Sequence, residues 1–239
     1  MTYADIHCHI LSGVDDGAKT PDVMYRMLDT AYADGIRALC ATPHFYPEIF
    51  GDNAEKSQRT FQLLRAYAEK KYPDMTLSLG NELGYHLSWR TAVSSGACRL
   101  IGDRYLLVDF PADRSYYELC YAMNDLISVG IPIILAHAER YLALYNEYDQ
   151  ILDWCHRGVL LQINASAFFK KRPLKHRLHV KKLINRCPIA IISSDGHNMG
   201  SRLPVLSHVA EYVTKKYGED RAGFWLWDAP NRILQGKKL

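Results

Sequence analysis

The chain has 239 residues, 48% hydrophobic and 23% charged, with a formal net charge of +3, and fits one α/β domain of barrel size or at most two small domains. No run approaches the roughly 18 apolar residues of a membrane span, and the N-terminus has neither the basic nor the apolar region of a signal peptide. The cysteines Cys8, Cys40, Cys98, Cys120, Cys155 and Cys187 contain no Cys-x-x-Cys pair and fit buried thiols in a reducing, cytoplasmic setting.

The first predicted strand is Ala4–Ile10, with Asp5, His7 and His9 on one face and Ile6, Cys8 and Ile10 on the other. Thr20-Pro21 supplies a cap and a first helical residue, and that helix stops at Gly35. A second strand covers residues 36–42 and ends at Pro43-His44. A loop over 46–52 leads to a helix over 54–71 with Phe61, Leu64 and Ala68 at helical spacing. A third strand, 76–79, ends at Gly80-Asn81-Glu82. A short helical piece follows at 85–94, then a strand over 105–109. A helix begins at Ser115 and runs to about Val129, and the fifth strand, 131–135, enters Ala136-His137-Ala138-Glu139-Arg140. A helix over 148–157, a strand over 159–163 ending at Asn164, a basic loop and helix, and a strand over 189–193 come next. Ser194-Asp195-Gly196-His197 then leads to a helix over 203–217 and a Trp-rich tail with a last helix ending at Gly236.

Seven strands alternating with helices imply a parallel sheet. No Gly-x-Gly-x-x-Gly follows the first strand, which argues against an open dinucleotide-binding sheet. A closed, slightly short barrel fits better, and no linker divides residues 1–239.

The residues at the C-terminal ends of the strands are His7 and His9, His44, Glu82, Asp109, His137, Asn164, Asp195 and His197. In a barrel these ends converge on the face that carries the active site. A ring of imidazoles and carboxylates there is costly unless cations share it. Ligands without thiolate suit Zn, Mn or Fe(II) in a reactive centre more than a structural zinc site. Eight or nine ligands suit two ions, or three if Asp16 joins from the loop Val14-Asp15-Asp16-Gly17; paired ions are a hydrolase device.

Arg140 and Arg202 follow His137 and His197 closely enough to share the rim and bind phosphate. Tyr46, Tyr85 and Tyr141 either line the mouth or pack behind it. Cys98 and Arg104 have the Cys-x5-Arg spacing of thiolate phosphatases, but the segment precedes its strand and carries Asp103, so it is set aside. The basic clusters Lys170-Lys171-Arg172, Lys175-His176-Arg177 and Lys181-Lys182 read as a solvated face, too small for a nucleic-acid footprint, though able to attract an anionic partner.

Asp5-Ile6-His7-Cys8-His9 with Val14-Asp15-Asp16-Gly17, then Ala41-Thr42-Pro43-His44, Gly80-Asn81-Glu82, Ala136-His137-Ala138-Glu139-Arg140-Tyr141 and Ser194-Asp195-Gly196-His197 resemble, in order, the motifs of the PHP (polymerase and histidinol phosphatase) superfamily. The resemblance is nearest to the bacterial CpsB/CapC-type manganese-dependent protein-tyrosine phosphatases. It implies a distorted (β/α)7 TIM-like barrel, with the metal site at the C-terminal ends of the strands. It also implies two or three divalent ions, Mn2+ first, with Fe2+, Zn2+ or Co2+ as alternatives. By matching position the ligands are His7, His9, Asp16, His44, Glu82, Asp109, His137, Asp195 and His197. Asp109 stands where Glu is expected, so its reach is shorter. Arg140 and Arg202 become phosphate-binding catalytic residues. His44 is a candidate proton donor if it is not a full ligand, and Asp5 would orient an imidazole from behind. The implied reaction is direct attack of metal-bound hydroxide on phosphotyrosine. The implied partner is the tail of a bacterial tyrosine kinase in capsule or exopolysaccharide control. A small-molecule phosphatase of the histidinol-phosphate type, a nuclease and an inactive metal-binding module are the alternatives.

Overall fold

The computed structural model describes residues 1–169 and 173–239; the predicted basic cluster at 170–172 lies outside them. The strands are β1 Tyr3–Cys8, β2 Ile36–Ala41, β3 His44–Phe45, β4 Thr76–Leu79, β5 Glu82–Gly84, β6 Leu106–Asp109, β7 Ile133–Leu135, β8 Leu160–Asn164 and β9 Ile189–Ser193. The helices are α1 Pro21–Asp34, α2 Pro47–Phe50, α3 Ala54–Lys71, α4 Trp89–Ser94, α5 Tyr116–Ile127, α6 Tyr148–His156, α7 Leu174–Arg186, α8 Ser207–Tyr217, α9 Glu219–Gly223 and α10 Ala229–Leu234. Caps read from the sequence form as expected. Thr20 accepts a hydrogen bond from the Val23 N–H and Gly35 closes α1 at φ 103°, while Ser115 and Glu118 make a capping box on α5.

All strand pairs are parallel, but they form two sheets, β1-β2-β4 and β3-β5-β6-β7-β8-β9. The second and third predicted strands end about where expected, at Ala41 and Leu79, but strand pairing resumes beyond each end in two short segments that the sequence reading did not count, so nine strands stand among the described residues where seven were expected. Pro43 has no N–H to continue the ladder; beside it, Thr42 bonds back to β1, its N–H donating to the Cys8 carbonyl and its hydroxyl accepting from the Cys8 N–H, both at 2.9 Å. Across the gap, Asn81 donates to the Pro43 carbonyl at 3.1 Å and accepts from the Arg99 N–H at 2.9 Å. The chains resume as β3 and β5, with His44 directly opposite Glu82. The interruption therefore sets two candidate ligands side by side.

The sheets meet again where β1 ends: Cys8 bridges to Gly196, the His9 N–H donates to the Gly196 carbonyl at 2.8 Å, and the Asp195 N–H donates to the His7 carbonyl at 3.0 Å. The result is a distorted barrel. The strict alternation expected of the first strand does not hold, because its pairing register shifts between Asp5 and Cys8. Ile6 faces the interior cluster with Cys40, Leu107, Ile134 and Ile191, whereas Cys8 and Ile10 join the layer under the helices. Ile233 of α10 fills the other end of that interior cluster, and burial of each such aliphatic side chain contributes about 1.5–3 kcal/mol.

The helix expected from residue 203 starts at Ser207. Leu203–Leu206 remain extended or turned around Pro204, and the Asp34 carboxylate accepts from the Leu206 and Ser207 N–H groups at 2.6 and 2.9 Å, a favourable charge at a helix N-terminus. The six cysteines are free thiols, most of them buried. Among the described residues no helix is long and apolar enough to cross a membrane.

Candidate metal centre

The predicted ligands come together at the C-terminal ends of the strands. Glu82 stands at their centre, fully buried. Its Oε2 lies 3.3 Å from His7 Nε2, 3.1 Å from His9 Nε2 and 3.0 Å from His44 Nδ1, and its Oε1 lies 2.9 Å from His137 Nε2. Asp195 Oδ1 is 3.6 Å from both His7 Nε2 and His9 Nε2. Asp16 Oδ1 approaches His197 Nε2 at 3.4 Å and His44 Nε2 at 3.7 Å.

Ligand atoms within 4.8 Å of one another form overlapping groups: His9, Asp16, His44 and His197; His7, His9 and Asp195; His7, Glu82 and His137; His44, Glu82 and Asp109. Every predicted ligand appears in at least one. Asp109 is included despite its short reach, because β6 places it beside His137 Nε2 at 3.6 Å and Tyr141 donates to it at 3.2 Å.

Two of these residues owe their aim to unusual backbone. His137 (φ 32°) and Asp195 (φ 53°) occupy the left-handed region, which costs a non-glycine residue about 1–2 kcal/mol. Each is held there, His137 by its N–H donating to Gln162 Oε1 at 2.7 Å and Asp195 through the bond to β1. Glycines complete the packing: a Cβ on Gly17 would sit 1.9 Å from the His9 carbonyl oxygen, and one on Gly196 would sit 2.8 Å from Pro204 Cα.

Charge at the centre is unbalanced in a way that suits cations. Against the cost of burial, its imidazole neighbours hold Glu82 well below the usual carboxylate range. Burial also opposes ionisation of Asp195, yet His7, His137 and His9 keep it low. Burial pulls His44 down, and the His197 imidazole falls to about 4, so both present lone pairs. Burial penalises the charged form of His9, but Asp15 and Glu82 raise it well above its ordinary value. Meanwhile His44 Nδ1, Glu82 Oε2, Asp195 Oδ1 and His197 Nε2 are buried without a hydrogen-bond partner, which is costly for such groups. Converging, unsatisfied nitrogen and oxygen donors fit divalent cations.

Arg140 and Arg202 reach the same carboxylate from the solvent side: Arg202 Nη2 is 2.7 Å and Arg140 Nη1 3.6 Å from Asp195 Oδ2. Both line a cavity of about 350 Å³ with Asn164, Ser166, Phe169 and Ser194. Residues 3–235 match the model of the capsular polysaccharide synthesis family CpsB/CapC. This chain belongs to the CpsB/CapC family. Its sequence is 28% identical to a protein named tyrosine-protein phosphatase CpsB from Streptococcus pneumoniae, over 98% of this chain and 99% of that one. It is 24% identical to tyrosine-protein phosphatase YwqE from Bacillus subtilis, over 90% and 85%. A crystal structure from the YwqE and CpsB pair of metal-dependent tyrosine phosphatases covers 99% of this chain and 96% of its own, with TM-score 0.85 and 23% identity. That likeness establishes the shared fold.

Behind the centre of this CpsB/CapC chain lies a set of orienting residues, of which the strand-end pattern had shown only Asn164. Asp15 Oδ2 lies 2.7 Å from His9 Nδ1 and accepts from the His44 N–H at 2.8 Å. Gln162 Oε1 lies 3.1 Å from His7 Nδ1, its amide donates to Asn164 at 2.8 Å, and Asn164 donates to Asp195 Oδ2 at 2.7 Å. The signal for the last pair was two amides, Gln162 and Asn164, alternating within an otherwise apolar strand. Asp5, expected to orient an imidazole, instead accepts from the Ser194 and His7 N–H groups at 3.1 and 3.3 Å and from the Ser194 hydroxyl. It anchors backbone, because the register shift turns it away from the rings.

Tyr141 and Tyr85 pack behind the mouth, Tyr85 donating to Asp125 at 3.1 Å. Burial pushes the Cys98 thiol up to about 12, with Arg99 opposing weakly. A thiol so reluctant to ionise, ahead of its strand, is no nucleophile.

Proposed function

We propose that this chain is a metal-dependent protein-tyrosine phosphatase whose ligands are His7, His9, Asp16, His44, Glu82, Asp109, His137, Asp195 and His197, and whose phosphate-binding residues are Arg140 and Arg202. The observation that carries the reading is Asp195, which offers one oxygen to the imidazole cluster and the other to both arginines. A phosphoryl group at that junction meets the metal ligands and two guanidinium groups at once. The names of the relatives, tyrosine-protein phosphatase, point the same way.

These ligands would hold divalent ions, manganese foremost, which would supply Lewis acidity toward water and phosphoryl oxygen. The chain's own groups do the rest. Arg140 and Arg202 hold the phosphoryl oxygens and stabilise their charge in the transition state. Gln162, Asn164 and Asp15 keep the ligand rings and Asp195 in place, as partners behind a metal site must. His44 takes part in two of the ligand groups, and burial keeps it neutral, which favours a ligand over a proton donor. The phenol leaving group ionises near pH 10, so it departs without a strong acid.

We further propose a single domain over 1–239, a cytoplasmic location, and a phosphotyrosine-bearing tail of a bacterial tyrosine kinase as partner in capsule or exopolysaccharide control. The test is phosphate release from a phosphotyrosine peptide with and without chelator, followed by elemental analysis of the protein. Release abolished by chelator and restored by Mn2+ is the expected result; release indifferent to chelator overturns the proposal.

A further inference from the structure

Helix α7 contains Lys175, Arg177, Lys181, Lys182 and Arg186 and no carboxylate. On α1 and α3, by contrast, exposed arginines pair with acids one turn away, Arg26 with Asp22, Arg59 with Glu55 and Arg65 with Glu69. On α7 no such partner exists, and two leucines, Leu174 and Leu178, stand 65% and 49% exposed one turn apart.

These features border a groove of about 340 Å³ between α7 and α8. Leu174, Arg177, Leu178 and Lys181 of α7 line one side and Tyr212 and Lys216 of α8 the other, with Phe168 also in the lining. Among the described residues lining it there is no carboxylate, and none of the three cations is ion-paired. Glu211 of α8 lies off the lining stripe. The Lys216 ammonium is fixed by a 2.7 Å bond to the Tyr212 hydroxyl and lies 5.1 and 5.2 Å from the Tyr212 and Tyr217 ring centroids.

The groove lies next to the phosphate cavity at the metal centre. The short turn Ala165–Phe168 divides the two: Ala165 and Ser166 line the phosphate cavity, Ala167 and Phe168 the groove. One stripe of α8 runs through both, with His208 in the cavity and Tyr212 and Lys216 in the groove. Eight helical residues rise about 12 Å, the length of about four residues of extended chain.

We propose that this groove binds an acidic segment of the polypeptide substrate, a few residues from the phosphotyrosine, with apolar side chains on Leu174 and Leu178 and carboxylates on Arg177, Lys181 and Lys216. The substrate class rests on the phosphatase reading; the docking does not.

The experiment compares two phosphotyrosine peptides of equal length, one with Asp and Glu and one with Asn and Gln about three to five residues from the phosphotyrosine. The wild-type enzyme should favour the acidic peptide about tenfold through KM, the sum of three exposed charge contacts, with the gap closing as salt rises. The Lys181→Glu/Lys216→Glu double variant should lose this preference and favour a Lys-flanked peptide, an inversion that misfolding cannot produce. Fluorescence anisotropy of the labelled, unphosphorylated acidic peptide reads docking without turnover. If neither phosphopeptide is hydrolysed but that binding remains charge-dependent, the phosphatase reading alone fails. Equal use of both peptides by the wild-type enzyme, or an unchanged preference in the variant, overturns the proposal. So does a variant that keeps the peptide preference and loses only sedimentation with phosphatidylglycerol vesicles, which would assign the groove to lipid.

Discussion

Arg202 donates to Oδ2 of Asp195 at 2.7 Å, while Oδ1 of the same carboxylate faces His7 and His9. One side chain thus couples the arginine rim to the imidazole cluster. Arg140 contacts the same oxygen at 3.6 Å with its side chain 45% exposed. The two arginines should therefore separate on mutation.

Arg140→Ala should reduce kcat about 10²-fold, as loss of one transition-state donor does, and leave metal content intact. Arg202→Ala should lower kcat as much and also loosen the metal, because Asp195 loses its closest positive partner. Steady-state kinetics beside elemental analysis of each variant decides. Equal metal loss in Arg140→Ala would give that residue a structural role.

Asp15 fixes the His9 ring and the His44 backbone with one carboxylate oxygen. Asp15→Ala removes both restraints without touching a ligand atom. The expected result is metal affinity weakened about 10–100-fold, measured by competition with a chromophoric chelator, with kcat largely recovered at saturating metal. A variant that binds metal as tightly as the wild type would show that the loop around Gly17 holds His9 unaided.

The strand ends were readable because each ligand follows an apolar, β-branched run, so the ring of His7, His9, His44, Glu82, Asp109, His137, Asp195 and His197 could be assembled from one-dimensional order. Two things were not readable. A strand interrupted at Pro43 and at Gly80-Asn81 looks in sequence like a strand ending, and only the pairing of β3 with β5 reveals that the chain resumes across the gap. The supports are also hidden: Gln162 meets His7 from 155 residues away, a contact no local pattern encodes. Asp5 was misassigned for a related reason, since the register shift in β1 depends on partners far along the chain.

Gly17 and Gly196 are predicted to resist substitution for steric reasons. Gly17→Ala drives a methyl group into the His9 backbone and side chain, at 1.9 Å from the carbonyl oxygen and 2.7 Å from Cβ, so the loop carrying Asp15 and Asp16 must move. Gly196→Ala meets Pro204 backbone at 2.8 Å. Each should cost about 1–3 kcal/mol, seen in urea unfolding, and Gly17→Ala should also weaken metal binding. A Gly17→Ala variant with unchanged stability and metal content would mean that the loop shifts freely.

His179 of α7 provides a pH test away from the metal centre. Its ring is buried, stacks on Tyr145 with centroids 3.9 Å apart, and lies within hydrogen-bond distance of the Tyr148 hydroxyl at 3.0 Å. Burial, with lesser repulsion from His176 and Lys182, lowers its pKa from 6.5 to about 4. The unfolded chain then takes up the proton first as pH falls, so His179 contributes its full stability above pH 6.5 and loses it progressively towards pH 4. The expected loss is of the order of 3 kcal/mol between those limits. The His197 imidazole at the metal centre, with its pKa of about 4, also titrates in this range, so the measurement is a difference: urea midpoints of the wild type and His179→Phe from pH 7 to pH 4. Phenylalanine keeps the stacking and cannot titrate; its unpaired Tyr148 hydroxyl costs about the same at every pH. The variant's curve should be the flatter by that amount. If both curves fall equally steeply, the acid sensitivity belongs to other groups and His179 is not its source.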